Sequence, residues 1–344
     1  MSDKKSNANG VYPQEAVKSD IVKNEEFIGE HLETLREFAE RGDASVMYLL
    51  GCYYDGGVCE GGGNDPDEAV KWYKKVSRLG NTHAMNNLGV MYLCGQGVRK
   101  SAAKASKWFR KAAELGSVVA QKNLAEMYRY GDGVRVDSAE AAKWYRKAAE
   151  QGDAEAQGIL GVMYYYGEGV RKNVAAAVKW YRKAAEQGDC GAQNNLGVCY
   201  DKGTGGAQDR AVALKWYRKA ARHGNACAQT NIGEMYETGR GVVKSAVRAA
   251  KWYWKAAEQG YAGAQYDLGE LYASGNGVAK DLHAAEMWYR KAAEQGYADA
   301  QYKLAYMYDF GLGVRASVAE ATKWLRRAAE QGHAEARRTL ASSM

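Results

Sequence analysis

Eight tryptophans constrain this chain more than any other feature. Trp72, Trp108, Trp144, Trp180, Trp216, Trp252, Trp288 and Trp324 recur every 36 residues, and a glycine follows each by eight residues, from Gly80 and Gly116 through to Gly332. An in-phase repeat of this length means that one supersecondary unit is built many times and stacked, because a single unit cannot bury its own apolar face. Only 2 prolines accompany 40 glycines, 25 tyrosines and 9 tryptophans. So few prolines suit a regular helical array better than a fold assembled from varied loops.

One copy, residues 152–187, shows what the unit is. Its first half, AEAQGILGVMYYY, has apolar residues at helical spacing, and GEG then interrupts it. Glycine accepts the positive φ that ends a helix, so a turn is expected there. The second half, NVAAAVKWYRKAAEQ, is rich in strong helix formers with Lys and Arg late, and the next glycine stops it. Each repeat therefore reads as helix, glycine loop, helix. Numbering from the leading glycine as zero, Ala recurs at four, Leu at eight, Gly or Ala at nine and Tyr at twelve, as in Ala156, Leu160, Gly161 and Tyr164. Small residues at four and nine are expected to let helix backbones approach, and valines at eighteen (Val98, Val134, Val170) to plug the loop end of the core. The tryptophans are expected in the core, each burying about 150–250 Å².

The ends read as half-repeats. Residues 24–41 carry Phe27, Ile28, Leu32, Leu35 and Phe38 at helical spacing and form an expected N-terminal cap; 332–344 form the C-terminal one, enclosing eight repeats over 42–331. Residues 1–23 have no apolar face and read as a disordered tail. Asp65 with Pro66 reads as a helix start after a longer first loop.

The pattern A-x-A-Q-x-x-L-G-x-x-Y-x-x-G-x-G-V followed by K-W-Y-x-K-A-A-x-x-G resembles the Sel1-like repeat, a relative of the tetratricopeptide repeat. AQKNLAEMYRYGDGV (120–134) with KWYRKAAEQG (143–152) matches it nearly throughout. The resemblance implies an all-α, right-handed superhelical solenoid of antiparallel helix pairs whose first helices line a concave face. It also implies an adaptor that holds a protein or peptide in complex assembly or signalling. The fifth copy departs, with CYDKGTGGAQD in place of the usual loop.

Comparison of the copies with one another locates the expected groove. First-helix positions three, six, seven, ten, thirteen and fourteen vary most, and their spacing places them on one face. Position seven holds Asn87, Asn123, Asn195 and Asn231, amides able to donate and accept to an extended peptide or to bond a neighbouring helix. Tyr302, Tyr306 and Phe310 follow at i, i+4 and i+8, with Tyr266 one repeat earlier, and Tyr130, Tyr165 and Tyr166 make a second aromatic group. Large amphipathic rings are frequent interface anchors. Asp201, Glu234, Glu237, Glu270 and Asp309 fall on the same face of the C-terminal half, suiting a partly basic segment. Trp254, where other copies have Arg, stands out as a second-helix oddity.

Other chemistries find little support. Ser101-Ala-Ala-Lys104 matches S-x-x-K, a β-lactamase signature, but its companions S-D-N and K-T-G are absent. The glycine loops lack the strand or the G-K-[ST] ending of phosphate cradles. Five histidines form no H-x-x-x-H pair and no C-x-x-C occurs, so neither catalytic residues nor a metal nor another cofactor is expected. A net charge of +7 from 48 basic and 41 acidic side chains is too thinly spread to mark a nucleic-acid binder. The polar start MSDKKSNANG, the lack of a long apolar run and six cysteines at no fixed repeat position lead to the expectation of a cytoplasmic protein with reduced thiols and no membrane insertion, with signal-less secretion left open.

Overall fold

A computed structural model describes residues 31–56 and 63–342. The expected tail 1–23, residues 24–30 of the expected N-terminal cap, and Cys59 lie outside the described residues. Among the described residues there are eighteen helices and no strands. A short helix, α1 (Leu32–Glu40), precedes eight pairs. The first four pairs are α2 (Ala44–Asp55) with α3 (Pro66–Ser77), α4 (Thr82–Cys94) with α5 (Ala102–Glu114), α6 (Val118–Tyr130) with α7 (Ser138–Glu150), and α8 (Ala154–Tyr166) with α9 (Val174–Glu186). The next four are α10 (Cys190–Lys202) with α11 (Arg210–Arg222), α12 (Ala226–Thr238) with α13 (Ala246–Glu258), α14 (Ala262–Ser274) with α15 (Leu282–Glu294), and α16 (Ala298–Phe310) with α17 (Val318–Glu330). A last helix, α18 (Ala334–Ser342), follows. The first member of each pair is called A and the second B. The chain divides into two compact units, one reaching to Ala156 and including 168–170, the other holding 157–167 and everything from Arg171 onward. Within each unit antiparallel pairs stack as an all-α solenoid.

Local chemistry explains the boundaries. Most A helices start on a side-chain cap at position one: Asp43, Asn81, Ser117, Asp153, Asp189 and Asn225 each accept from a backbone N–H in the first turn. The B helices do the same through Asp137, Asn173, Asp209 and Asp281, among others. Each G-x-G divides two tasks. Its first glycine closes helix A in the left-handed region, as Gly131 does at φ +86°. Its second lies against the start of the preceding B helix, where a Cβ on Gly169 would sit 1.9 Å from the Ser138 carbonyl oxygen. The divergent fifth copy keeps both, at Gly203 and Gly205.

The core departs from the expected arrangement in one respect. Trp72, Trp144 and Trp324 are buried, but the other five periodic tryptophans are only half-buried. The fully enclosed ring is the next residue: Tyr73, Phe109, Tyr145, Tyr181, Tyr217, Tyr253 and Tyr289. This ring, not a neighbouring backbone, is what position nine accommodates. A Cβ on Gly89, Gly161, Gly197, Gly233 or Gly269 would lie 2.4–2.7 Å from the aromatic ring twenty residues later. The tryptophan is instead covered by the Lys three residues on, with Lys147 Nζ 4.0 Å from the Trp144 ring and Lys219 Nζ 4.2 Å from that of Trp216. Position-four alanines (Ala84, Ala120, Ala156, Ala228) are inaccessible, as the close approach of helices requires.

Repeats are further stitched by buried glutamines at position five. Gln265 donates Nε2 to the Ala257 carbonyl at 3.1 Å and accepts from Gln295 Nε2 at 2.8 Å, and Gln121, Gln229 and Gln301 make the equivalent pair of bonds. B-helix arginines also reach forward eighteen residues to a tyrosine hydroxyl, as Arg182 does to Tyr200 at 2.6 Å and Arg218 to Tyr236 at 3.3 Å.

Because the Tyr253 ring fills the space where a Gly233 side chain would go, Gly233→Val is expected to lower stability by about 1–3 kcal/mol. The midpoint of urea unfolding followed by circular dichroism measures it; an unchanged midpoint would remove the packing role given to position nine.

Candidate functional site

The varied face of the A helices is described in each unit separately. In the first unit, Asn123 Nδ2 donates to Asn86 Oδ1 at 2.9 Å, and Asn87 Nδ2 donates to the Tyr73 hydroxyl at 3.0 Å. In the second, Asn231 Nδ2 donates to Asn194 Oδ1 at 2.9 Å, and Asn195 is half-buried. Three of the four position-seven amides thus fasten one helix to another. What Asn123 and Asn231 keep for a ligand is an oxygen and one N–H.

The aromatic residues divide similarly. Tyr130 is well exposed in the first unit with Arg129 over its ring, and Arg129 forms a bidentate pair with Glu168 at 2.7 and 2.8 Å. In the second unit Tyr165 meets Tyr166 edge-on at 5.1 Å, with Tyr166 exposed. Tyr302 stacks on His333 with ring centroids 4.6 Å apart, so it is largely a joint to α18. Tyr306 and Phe310 pack together at 4.6 Å and remain open to solvent.

One cleft on this face lies between α12 and α14. Thr230, Glu234, Tyr261, Asp267, Gln295 and Tyr297 line a cleft of about 470 Å³. Tyr261 and Tyr297 occupy position one, where the six earlier copies carry Asp, Asn or Ser, and neither caps its helix. Tyr266 packs against Tyr297 at 5.3 Å and Tyr289 at 5.8 Å, extending the aromatic wall. Asp267 stands at position seven, where four other copies carry Asn. Burial, with Glu234, Glu237 and Glu270 nearby, pushes its carboxyl from 3.8 up to about 7.

The acidic side chains expected to face a partner are differently committed. Asp201 is buried between Arg210, at 3.6 Å, and Arg240, at 3.4 Å. Arg240 also pairs with Glu234 at 3.0 Å, and Lys303 with Glu270 at 2.9 Å. Glu237 accepts from the Tyr253 hydroxyl at 2.6 Å, and Glu270 from that of Tyr289. Asp267 is the carboxyl whose neighbours are mainly other carboxylates. Reading the sequence for motifs overlooks Asp267, Tyr261 and Tyr297. Comparing positions one and seven across the copies would have found them, since each replaces a residue type that most other repeats carry.

The architecture matches a known family. A model described as the Sel1 repeat matches eight times without large gaps, over residues 44–81, 82–117, 118–153, 154–189, 191–225, 228–261, 262–297 and 298–333. The chain belongs to the Sel1 repeat family. Among solved structures it is similar to a protective antigen of uropathogenic Escherichia coli strains displaying an SLR fold, with 40% identity and a TM-score of 0.76 over 90% of this chain. It spans 66% of that antigen's length. It is also similar to a Sel1 repeat protein from Oxalobacter formigenes, with 34% identity and a TM-score of 0.75, covering 91% of this chain and 90% of that one. No curated protein matches it. Sel1 repeats generally mediate protein–protein interaction.

The S-x-x-K motif of this Sel1 protein finds a structural explanation. Ser101 of the S-x-x-K match is the N-cap of α5, its Oγ accepting from Lys104 N at 3.3 Å. Among the described residues, no cluster of His, Cys, Asp or Glu is arranged to hold a metal ion, and no helix is long and apolar enough to cross a membrane. Cys52 and Cys199 are buried free thiols, and Cys94 and Cys227 are exposed ones.

The raised Asp267 pKa has a signed consequence. The folded chain keeps this proton to about pH 7, whereas an unfolded chain releases it near 3.8. The folded state therefore binds more protons across that window, and stability falls as pH rises through it. Asp267→Asn is expected to gain stability over wild type progressively from pH 4 to 7 and to hold a constant advantage above. Urea melts at a series of pH values check this, and an advantage independent of pH would contradict it. Tyr261→Asn, which restores a capping side chain, is expected to stabilise by about 0.5–1 kcal/mol in the same assay.

Proposed function

We propose that this Sel1 protein is a non-catalytic adaptor holding a partner protein or peptide along the face formed by its A helices, in complex assembly or signalling. The observation that carries this reading is the pair Tyr261 and Tyr297. Both give up a helix cap worth about 1 kcal/mol to wall a cleft instead. Local rules broken without local compensation concentrate at sites kept for function. The ligand is a protein segment carrying basic side chains, since ionised Asp267 and its carboxylate neighbours favour a cation, and tyrosine faces attract one as well. Tyr306 and Phe310 extend the contact as exposed anchors, joined by Tyr266 and Tyr302, while Tyr130, Tyr165, Tyr166 and the oxygens of Asn123 and Asn231 add contacts within their own units. The family resemblance implies that this face is the concave one.

In the same reading α1 and α18 end the stack, and the buried free thiols suit the cytoplasm. Ser101 is accounted for as a helix cap.

Basic-peptide affinity is expected to rise through pH 7 as Asp267 ionises, and to fall at least about 10-fold in Tyr306→Ala/Phe310→Ala. Isothermal titration with a Lys/Tyr-containing peptide array hit, run on wild type, the double variant and Asp267→Asn, measures both. Ser101→Ala should leave every value unchanged. A peptide bound equally well by all variants at all pH values would remove the A-helix face from the interaction.

A further inference from the structure

The B-helix surface of the sixth repeat differs from its counterparts in a coordinated way. Trp254 is 45% exposed and stands where Arg110, Arg182, Arg218 and Arg290 reach forward to a tyrosine hydroxyl. Val247 is 54% exposed, seven residues earlier on α13 and so on the same side of the helix, at a position that is Ala in five other copies. Val243, 85% exposed, lies two residues ahead of the N-cap Ser245, where four other copies carry Arg. Single exposed apolar residues are ordinary on a protein surface. Here three positions that are basic or small elsewhere become apolar in one copy, two of them seven residues apart on α13. The Arg-to-Trp exchange also removes the clip that Tyr272 would otherwise receive.

The surroundings give the patch an electrostatic sign. Helix α11, one repeat earlier and sharing a core cluster with α13, carries Lys215, Arg218, Lys219 and Arg222 besides the Asp201-paired Arg210, and no acidic residue. On α13, Arg248, Lys251 and Lys255 are opposed only by Glu258. By contrast, α15 balances Arg290 and Lys291 with Glu286 and Glu294. An exposed Trp with two valines beside a basic field matches a segment that brings apolar side chains on one face and carboxylates around them.

We propose that the Val243–Val247–Trp254 patch is a second docking surface, on the B-helix side, for an acidic amphipathic segment of a partner protein. It is separate from the A-helix cleft, so one adaptor can hold two partners of opposite charge. Trp254 is the anchor, Val247 and Val243 extend the apolar contact, and the lysines and arginines of α11 and α13 set register and on-rate.

The test uses the full chain and a fluorescein-labelled helical peptide with Leu along one face and Glu on the others, read by anisotropy. Trp254→Arg, which installs the residue other copies carry, is expected to weaken binding by about 10-fold or more without lowering the melting temperature. Val247→Ala should weaken it by about 3-fold, and Tyr306→Ala/Phe310→Ala on the A-helix face should leave it unchanged. A peptide with Lys in place of Glu should bind at least about 10-fold more weakly. Equal affinity in Trp254→Arg and wild type would overturn the proposal. So would Trp254-dependent binding to phosphatidylserine vesicles or duplex DNA that exceeds binding to the peptide, or Trp254-dependent self-association in sedimentation.

Discussion

The stack depends on an aromatic ring meeting a helix that has no side chain in its way. In most copies the residue after the periodic tryptophan lays its ring on position nine of the A helix, where a Cβ would fall within 2.4–2.7 Å. That contact fixes the rotation and depth at which the A helix sits on its B partner. The ring is fully enclosed, so little slack remains for a slip along the helix. Where position nine is Ala, Ala125 and Ala305 are buried, and the residues twenty positions later are the enclosed Tyr145 and Leu325, the latter packing on the same cluster as Ala305. Buried Gln relays at Gln121, Gln229, Gln265 and Gln301 then tie neighbouring helices together. Their amides both donate and accept, and a misregistered neighbour would leave them stranded.

This arrangement frees the tryptophans for another role. Five of them, half-buried and capped by the following Lys at 4.2–4.8 Å, form amphipathic ridges along the B helices rather than the deepest core, while Trp72, Trp144 and Trp324 stay buried. Each such contact contributes about 0.5–1 kcal/mol at an exposed site, and it lets a basic side chain cover apolar area. The B-helix side is therefore an ordered basic surface by construction. Trp254 alters that surface at one place by adding an apolar contact where a guanidinium would have been occupied internally.

Departures from the repeat cluster in the sixth and seventh copies. Tyr261 forgoes a cap, Asp267 replaces an amide with a half-buried carboxyl, and Trp254 forgoes an arginine clip. Each reduces local stability by the measure of the other copies, which supply an internal control that folds in the same environment. A repeat protein can tolerate such losses because neighbouring interfaces carry the stability as a sum. The result is a C-terminal unit whose A-helix face is acidic and aromatic, and whose B-helix face is basic and apolar.

The helix pairs and their loops were legible in the 36-residue period, because helix signals and positive-φ glycines act over a few residues and need no distant partner. So were the candidate face and the small residues at positions four and nine. What small residues make room for was not legible: the period marks Trp and Tyr equally, and only packing decides that Tyr181 is enclosed while Trp180 is half-covered by Lys183. The position-seven asparagines appear alike in sequence, yet Asn123 and Asn231 spend an N–H on a residue 37 positions earlier. Asp267 is one acidic residue among many until Glu234, Glu237 and Glu270 are brought around it and its carboxyl is drawn out of water. The sequence by itself thus determined the repeat unit and its periodic faces, through propensities and patterns that are local. The tertiary structure alone decided which of those side chains pair, which are enclosed and which titrate near neutrality, because burial and charge environment are set by neighbours tens of residues away.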